Sequence, residues 1–266
     1  QYICMSPLQQ HELLSNYNNI GIVFIGPIIG LPPSLMSTFS MLKEYGVDIE
    51  GVDIWENQDL KKNLWNILRL TILPGSHKKR IHFANNFNEK KLFELILKKI
   101  DILKNKGKGK IILGGMSGGF IFASRIIEKP LTDEIPQYAH KIQPLIKGLF
   151  GISPLIFYPL EVTKKSANLE LIPKNIPTIL IWGDNDIIIP KGTITLGEEI
   201  SRKNTAIKSI IIHGPEVGMK NQSIKHQFFG GKDFIKPFSN IFWNEKAEKI
   251  ASNHLNNLIK KINSEN

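Results

Sequence analysis

The regular alternation of short β-branched runs with amphipathic stretches is the feature that most constrains the fold of this chain. Runs rich in Ile, Val and Leu predict buried strands at residues 20–26, 47–55, 110–115, 147–157, 176–183 and 208–214. Apolar residues at helical spacing predict helices at residues 34–46, 89–107, 118–129, 195–203 and 245–262. Strands that are apolar on both faces need helices on both sides, so the pattern indicates an α/β fold with a mostly parallel central sheet.

The domain organisation is predicted to be a single domain over residues 1–266, with residues 1–19 as an N-terminal extension. There is no internal repeat and no Pro/Gly/Ser-rich linker. Two segments, residues 57–88 and 215–244, are too long for simple connections. Long insertions in compact domains are often lids or binding loops, and we expect that role for both segments.

The charge balance is strongly basic, with a formal net charge of +10 and lysine-rich patches at residues 77–80, 104–110 and 260–261. Such patches are compatible with nucleic acid or anionic lipid as a partner. The lysines are scattered, however, and no nucleic-acid-binding module is visible among them. We therefore expect an ordinary solvated surface and no nucleic-acid partner, and the sequence leaves oligomeric state open.

The compartment is only weakly constrained. The single cysteine, Cys4, cannot form an intramolecular disulfide, and no apolar run is long enough to span a bilayer. The first residues lack the basic and apolar regions of a signal peptide. A cytoplasmic location is the favoured expectation, but the chain opens on Gln1, so an exported mature chain stays open.

The glycine-rich stretch KIILGGMSGGF contains the first chemically informative motif. Its residues Gly115-Met116-Ser117-Gly118-Gly119 match G-x-S-x-G, with a predicted strand before and a predicted helix after. A serine at such a sharp turn needs strained backbone angles, and small residues two positions away avoid collisions with the strand and helix. The dinucleotide pattern G-x-G-x-x-G and the P-loop pattern do not fit these glycines. Ser117 is therefore predicted to be a nucleophile raised above the sheet edge.

A second segment, IPTILIWGDNDIIIP, resembles the strand-plus-acid segment of the α/β-hydrolase family, in which a proline-led strand ends in G-x-x-D. The resemblance covers residues 20–262. It implies that Asp186, three residues after Gly183, is the acid of a catalytic triad, with Asp184 as the competing candidate. Nucleophile, acid and histidine occur in the family's chain order.

The resemblance also implies a histidine on the loop after the last strand. His226 lies within that loop, and His213 lies at the end of the strand itself. A base must face both the serine and the acid, so the loop position of His226 is favoured, with His213 as the alternative. His254, in the middle of a predicted helix, is expected to lie on the surface.

The oxyanion hole is predicted to combine the N–H of Met116 with one from the loop after the first strand. The family usually carries His-Gly in that loop, whereas this chain has Ile25-Gly26-Pro27-Ile28. Pro27 has no N–H to donate. The amide of Ile28 is therefore the expected second donor, with Ile29 as the alternative.

The predicted function is hydrolysis of a carboxylic ester or thioester through an acyl-enzyme on Ser117, without metal or organic cofactor. The segment between the strands ending near residues 157 and 183 is short, so no large helical cap is expected. The substrate is predicted to be a small molecule or an acyl chain. An acyl pocket or a lipid-facing lid is one interpretation of a cluster of aromatic residues, and anchoring of the long loop is the other: Phe228, Phe229, Phe234, Phe238, Phe242 and Trp243. Contact with a membrane surface through the basic and Phe-rich segments stays open. Two alternative functions also remain: an inactive scaffold of the same fold, or a basic protein that binds an anionic partner.

Overall fold

A computed structural model of the chain describes residues 17–27, 46–54, 56, 88–127, 141–156, 167–184, 186, 189, 192–218 and 244–265. Within these residues lie the strands β1 (Ile20–Ile25), β2 (Asp48–Val52), β3 (Lys110–Met116), β4 (Ile146–Ile152), β5 (Thr178–Gly183) and β6 (Ile207–Ile212). The helices of the same part are α1 (Glu89–Asn105), α2 (Gly119–Arg125), α3 (Thr193–Lys203) and α4 (Glu245–Ser264). Each strand predicted from the sequence is present.

The strands form one sheet in the order β2-β1-β3-β4-β5-β6, and each pairing is parallel. The chain passes from β1 to β2, which pairs with one edge of β1, and then to β3, which pairs with the other edge of β1. The direction of winding therefore reverses between β1 and β3. The predicted α/β class with a mostly parallel sheet is confirmed.

Two apolar cores cover the two faces of the sheet. One joins alternate strand residues such as Val23, Leu113 and Trp182 to the helices α1, α2 and α3. The other joins the intervening residues, such as Ile22 and Ile112, to helix α4. Successive side chains of a strand point to opposite faces of the sheet. Strands that are apolar at every position are therefore buried only when helices cover both faces.

Helix ends follow local sequence signals. Asn88 and Asn244 accept hydrogen bonds from the amides of Lys91 and Ala247, at 3.0 Å and 2.9 Å, and thereby cap α1 and α4. The chain turns after α1 at Gly107, where φ is +82°. In the part of the chain that the structure describes, no helix is both long and apolar enough to cross a membrane.

Some predicted boundaries were wrong. The strand expected over residues 147–157 ends at Ile152, because Ser153 takes a left-handed backbone conformation (φ +44°) and Pro154 has no N–H for the ladder. The strand expected over residues 47–55 ends at Val52. Nearly all of the helix predicted over residues 34–46, and nearly all of the two insertions, lie outside the described residues.

The lysine-rich tract at residues 104–110 is tied to the amino edge of the sheet. The amine of Lys106 lies 2.9 Å from a carboxylate oxygen of Glu50. Lys108 is buried, and its amine donates to the carbonyls of Asn18 and Gly46 and pairs with Asp48 at 3.1 Å. These lysines serve intramolecular contacts, so the tract offers less free positive charge than its sequence indicates.

The last lysine of this tract, Lys110, holds the end of α4. Its amine donates to the carbonyls of Ile262, Asn263 and Glu265, at 2.9, 3.3 and 2.6 Å. An ammonium group has three donors, and all three are used here. A cation at a helix C-terminus is also favoured by the helix dipole. This contact attaches the last described helix to the first residue of β3.

Candidate active site

Ser117 directly follows β3 and has the backbone conformation that the sequence motif requires. Its φ is +53°, in the left-handed region that residues other than glycine rarely adopt. The residue is only 6% exposed. Such strain persists where the surroundings hold the backbone in place, and it concentrates at functional sites.

The two outer glycines of the motif explain how this turn is accommodated. A Cβ on Gly115 would collide with the backbone of Gly119 and Phe120 at the start of α2. A Cβ on Gly119 would collide with the carbonyl groups of Ile25 and Gly26 at the end of β1. The strand, the turn and the helix therefore pack backbone to backbone, and only glycine fits at either position.

Hydrogen bonds fix the turn to the neighbouring strand β4. The amide of Ser117 donates to the carbonyl of Ile152 at 3.0 Å, and the carbonyl of Ser117 accepts from Leu155 at 3.1 Å. The same carbonyl accepts from the amide of Phe120 at 3.2 Å. The backbone of Ser117 is thus held on both sides by described residues.

The location of Ser117 in the sheet is that of a ligand site. It lies at the carboxyl end of β3, at the point where the winding direction reverses between β1 and β3. In open α/β sheets, ligands bind in the crevice outside the carboxyl ends of the strands at such a switch point.

The loop after β1 supplies few free amides at this crevice. The amide of Gly26 donates to the carbonyl of Val52 at 2.9 Å, and Pro27 has none. The first amide that this loop can offer is therefore that of Ile28, as the sequence predicts, and Ile28 itself lies outside the described residues.

The other predicted donor, Met116, is the last residue of β3. The N–H groups of successive strand residues point to opposite sides of the strand. Because the N–H of Ser117 points to β4, the N–H of Met116 points to β1. This pattern disfavours Met116 as a donor, although its role stays a prediction. Gly118, which the sequence reasoning missed, follows the nucleophile and is the N-cap residue of α2. The G-x-S-x-G pattern itself could have identified it, because the residue after the nucleophile donates in this type of turn.

The two candidate acids follow β5 and have different contacts. A carboxylate oxygen of Asp184 accepts from the amide of Gly214 at 2.9 Å, and the same oxygen lies 3.7 Å from Nδ1 of His213. Asp186 accepts from the amide of Ile189 at 3.3 Å, which is the local turn contact typical of aspartate after a strand. The structure therefore brings Asp184, and not Asp186, next to His213.

The candidate histidines are His213, directly after β6, and His226, farther along the loop that follows in the sequence. His213 follows that strand and begins a short 3₁₀ turn, Gly214–Val217, and its side chain is 55% exposed. Three strand-to-strand steps of about 4.8 Å place β6 about 14 Å from β3, which exceeds the reach of Ser and His side chains joined by a hydrogen bond. His226 lies outside the described residues. The predicted triad of Ser117, Asp186 and His226 therefore stays a prediction.

A metal site is not visible in this part of the molecule. Across the residues that the structure describes, no group of three or more His, Cys, Asp or Glu side chains is arranged to hold a metal ion.

No protein-family model matches the sequence, and no curated protein shows significant sequence similarity to it.

Comparison of structures finds clear similarities. A Klebsiella pneumoniae protein assigned as a dienelactone hydrolase aligns with 91% of this chain and 86% of its own, at 13% identity and a TM-score of 0.60. A carboxylesterase from Lactobacillus plantarum gives the same coverages at 11% identity and a TM-score of 0.58. Esterase 2 from Thermogutta terrifontis aligns with 89% of this chain and 81% of its own, at 16% identity and a TM-score of 0.52. At these identities the similarity shows the fold, and the chain has the predicted α/β-hydrolase fold.

Proposed function

We propose that this chain is a serine hydrolase that cleaves carboxylic esters or thioesters of small molecules through an acyl-enzyme on Ser117. The observation that carries the proposal is the conformation of Ser117, which is left-handed, nearly buried and located at the switch point of the sheet. A backbone under this strain, held by two glycines without space for a side chain, is typical of a nucleophile on a sharp strand-to-helix turn.

The proposed acid and base are Asp186 and His226. A histidine at the position of His213 is too far along the sheet from Ser117, whereas a loop after β6 can return across the carboxyl edge toward β3. His226 accepts the hydroxyl proton of Ser117 as its oxygen attacks the carbonyl carbon, and passes the proton to the leaving alcohol or thiol. In the second half of the reaction, His226 takes a proton from water, which attacks the acyl carbon and releases the acid from Ser117. Asp186 orients the imidazole throughout.

The proposed oxyanion hole combines the amide of Gly118 with that of Ile28. The directions of the neighbouring strand amides favour Gly118 over Met116, and the bond from Gly26 to Val52 leaves Ile28 as the first candidate in its loop. Removal of one such donor typically lowers the rate of acyl transfer by about a hundredfold or more.

The comparisons support an ester substrate. The fold neighbours include a carboxylesterase and an esterase whose structure was solved phosphorylated by paraoxon. A small-molecule ester is therefore the substrate class that we propose, and binding of lipid surfaces by the Phe-rich segment is part of the same hypothesis.

Covalent trapping tests the proposal. The folded protein is incubated with paraoxon or a fluorophosphonate, and intact mass and peptide mapping locate the adduct. We expect one adduct, on Ser117, in the wild type and in Ser124→Ala, and none in Ser117→Ala. Ser124 is a matched control because it lies on α2, fully buried, with its hydroxyl bonded to the carbonyl of Ile121.

Hydrolysis of p-nitrophenyl butyrate by the same three proteins completes the test. Equal activity in Ser117→Ala and wild type would overturn the proposal. Absence of both adduct and hydrolysis in correctly folded wild type would favour an inactive scaffold of this fold.

A further inference from the structure

Asp184 connects the ends of two neighbouring strands. Its amide donates to the carbonyl of Ile212, the last residue of β6, at 3.1 Å. Its carboxylate accepts from the amide of Gly214, two residues later, at 2.9 Å. This residue at the end of β5 therefore holds the chain on both sides of His213, at the point where the loop after β6 begins.

The loop that begins there is the one that carries His226 in the sequence. A hydrogen bond to a carboxylate is stronger than one to a neutral acceptor, and here it joins residues 30 positions apart in the chain. It fixes the exit direction of the loop relative to β5, the strand that also leads to Asp186. A misplacement of about 1 Å in a catalytic group can lower the rate on the order of a hundredfold.

We infer that Asp184 is a positioning residue: it anchors the start of the histidine-bearing loop, which leaves the role of triad acid to Asp186. This inference rests on the proposed function. In this assignment the two carboxylates of the Gly-Asp-Asn-Asp segment have separate tasks: that of Asp184 holds the backbone at Gly214, just after β6, and that of Asp186 is left for the base.

The competing assignment makes Asp184 and His213 the acid and base of the triad. Two observations weigh against it. The distance of 3.7 Å between Nδ1 and the carboxylate is longer than a hydrogen bond, and the closest described partner of that oxygen is a backbone amide. The imidazole of His213 is also more than half exposed and lies about three strand steps from Ser117.

Substitutions at the two acids distinguish these assignments. The amide oxygen of Asp184→Asn still accepts from Gly214, so we expect kcat to stay within about threefold of wild type, in keeping with exchange of a charged acceptor for a neutral one. Asp184→Ala has no acceptor, and we expect kcat to fall about ten- to a hundredfold with KM nearly unchanged. Asp186→Asn removes the acid, and we expect a loss on the order of ten-thousandfold in kcat.

Glu216 provides a matched control at the same junction. Its carboxylate accepts from the amide of His213 at 3.1 Å, but this bond lies within the 3₁₀ turn and does not reach β5. We expect Glu216→Ala to leave kcat close to wild type, and His213→Gln to do the same. Thermal unfolding of each variant separates changes in kcat from loss of folded protein.

Two outcomes would overturn the inference. A loss in Asp184→Asn as large as that in Asp186→Asn would make Asp184 the acid, and equal losses in Glu216→Ala and Asp184→Ala would reduce its role to general support of the turn. If Asp184→Ala does not fold, the comparison of Asp184→Asn with Asp186→Asn still decides. Activity in Ser117→Ala would instead refute the proposed function, whatever the acids do.

Discussion

At the scale of single residues, the site is built from conformations that most side chains could not adopt. Ser117 and Ser153 both have left-handed backbones, with φ of +53° and +44°, and they follow the adjacent strands β3 and β4. Each such residue costs about 1–2 kcal/mol relative to a right-handed one. The strain is tolerated because the surrounding packing leaves no alternative path, as the two glycines of the motif demonstrate.

Gly119→Ala tests this packing. Its methyl group would collide with the carbonyls of Ile25 and Gly26, so we expect a loss of about 1–3 kcal/mol in the free energy of unfolding. Because the collision displaces Ser117, labelling by a fluorophosphonate should slow by more than tenfold, on the order of the cost of a small misplacement.

Gly107→Ala is the control for Gly119→Ala. Gly107 has open space around it but a φ of +82°, so alanine costs about 1–2 kcal/mol there without touching the site. If labelling slows equally in both variants, the slower labelling of Gly119→Ala results from lower stability and not from displacement of Ser117.

At the scale of elements, helix α4 illustrates how a helix packs on one face of the sheet, with most of its contacts to β4 and β5. Its buried side, which includes Ala251, Leu255 and Ile262, lies against the strands, and Asn244 and Lys110 satisfy its two ends. His254 lies on the same helix, and burial, reinforced by the nearby Lys208, lowers its pKa below the ordinary value of 6.5.

His254 predicts a pH dependence of stability. With its pKa lowered by folding, the native state binds fewer protons than the unfolded state in acid. The stabilisation is therefore fully present above pH 6.5 and is lost as the pH falls through the folded pKa. We expect His254→Gln to flatten the free energy of unfolding below pH 6.5, measured by urea denaturation. Lys208→Gln should reduce the effect only in part, because burial is the larger cause. Identical pH profiles for wild type and His254→Gln would contradict this prediction.

The elements were largely predictable from the sequence, while their ends were not. Continuous apolar runs identify strands that are buried on both faces, so the sheet follows from composition and spacing. The end of β4 depends on the backbone of Ser153, which no periodicity reveals. The contacts of Asp184 and Asp186 also differ: Asp184 accepts from Gly214, 30 residues away, whereas Asp186 accepts from Ile189 in its own turn, and the sequence pattern alone leaves both acids open.

At the scale of the whole molecule, the charge of +10 is less available than its size indicates. In the tract at residues 104–110, Lys106 is paired with Glu50, and the buried Lys108 is bonded to backbone carbonyls and to Asp48. Lys110 is bonded to backbone carbonyls at the end of α4. The remaining exposed lysines are scattered. This arrangement disfavours a specific anionic partner at that tract.

Retention on a duplex DNA column measures how much of the positive charge is available to an anionic partner. We expect weak, sequence-independent binding that is lost by about 0.2 M salt, as for purely electrostatic attraction. The double variant Lys260→Gln/Lys261→Gln should elute earlier than Lys106→Gln, because Lys260 and Lys261 are exposed whereas Lys106 is already paired. Retention that persists above about 0.5 M salt, or a preference for one DNA sequence, would indicate a specific complex and would contradict this interpretation.

The contact between Lys110 and the end of α4 also has a consequence for biosynthesis. Lys110 and Ile262 are 152 residues apart, so a ribosome adding about 5–20 residues per second needs roughly 8–30 s between them. During that interval the strand leading to Ser117 has already been made, while the strand residues that α4 buries still lack that helix. The apolar strand residues that pack against α4 therefore stay without this helix until the last part of the chain has been made.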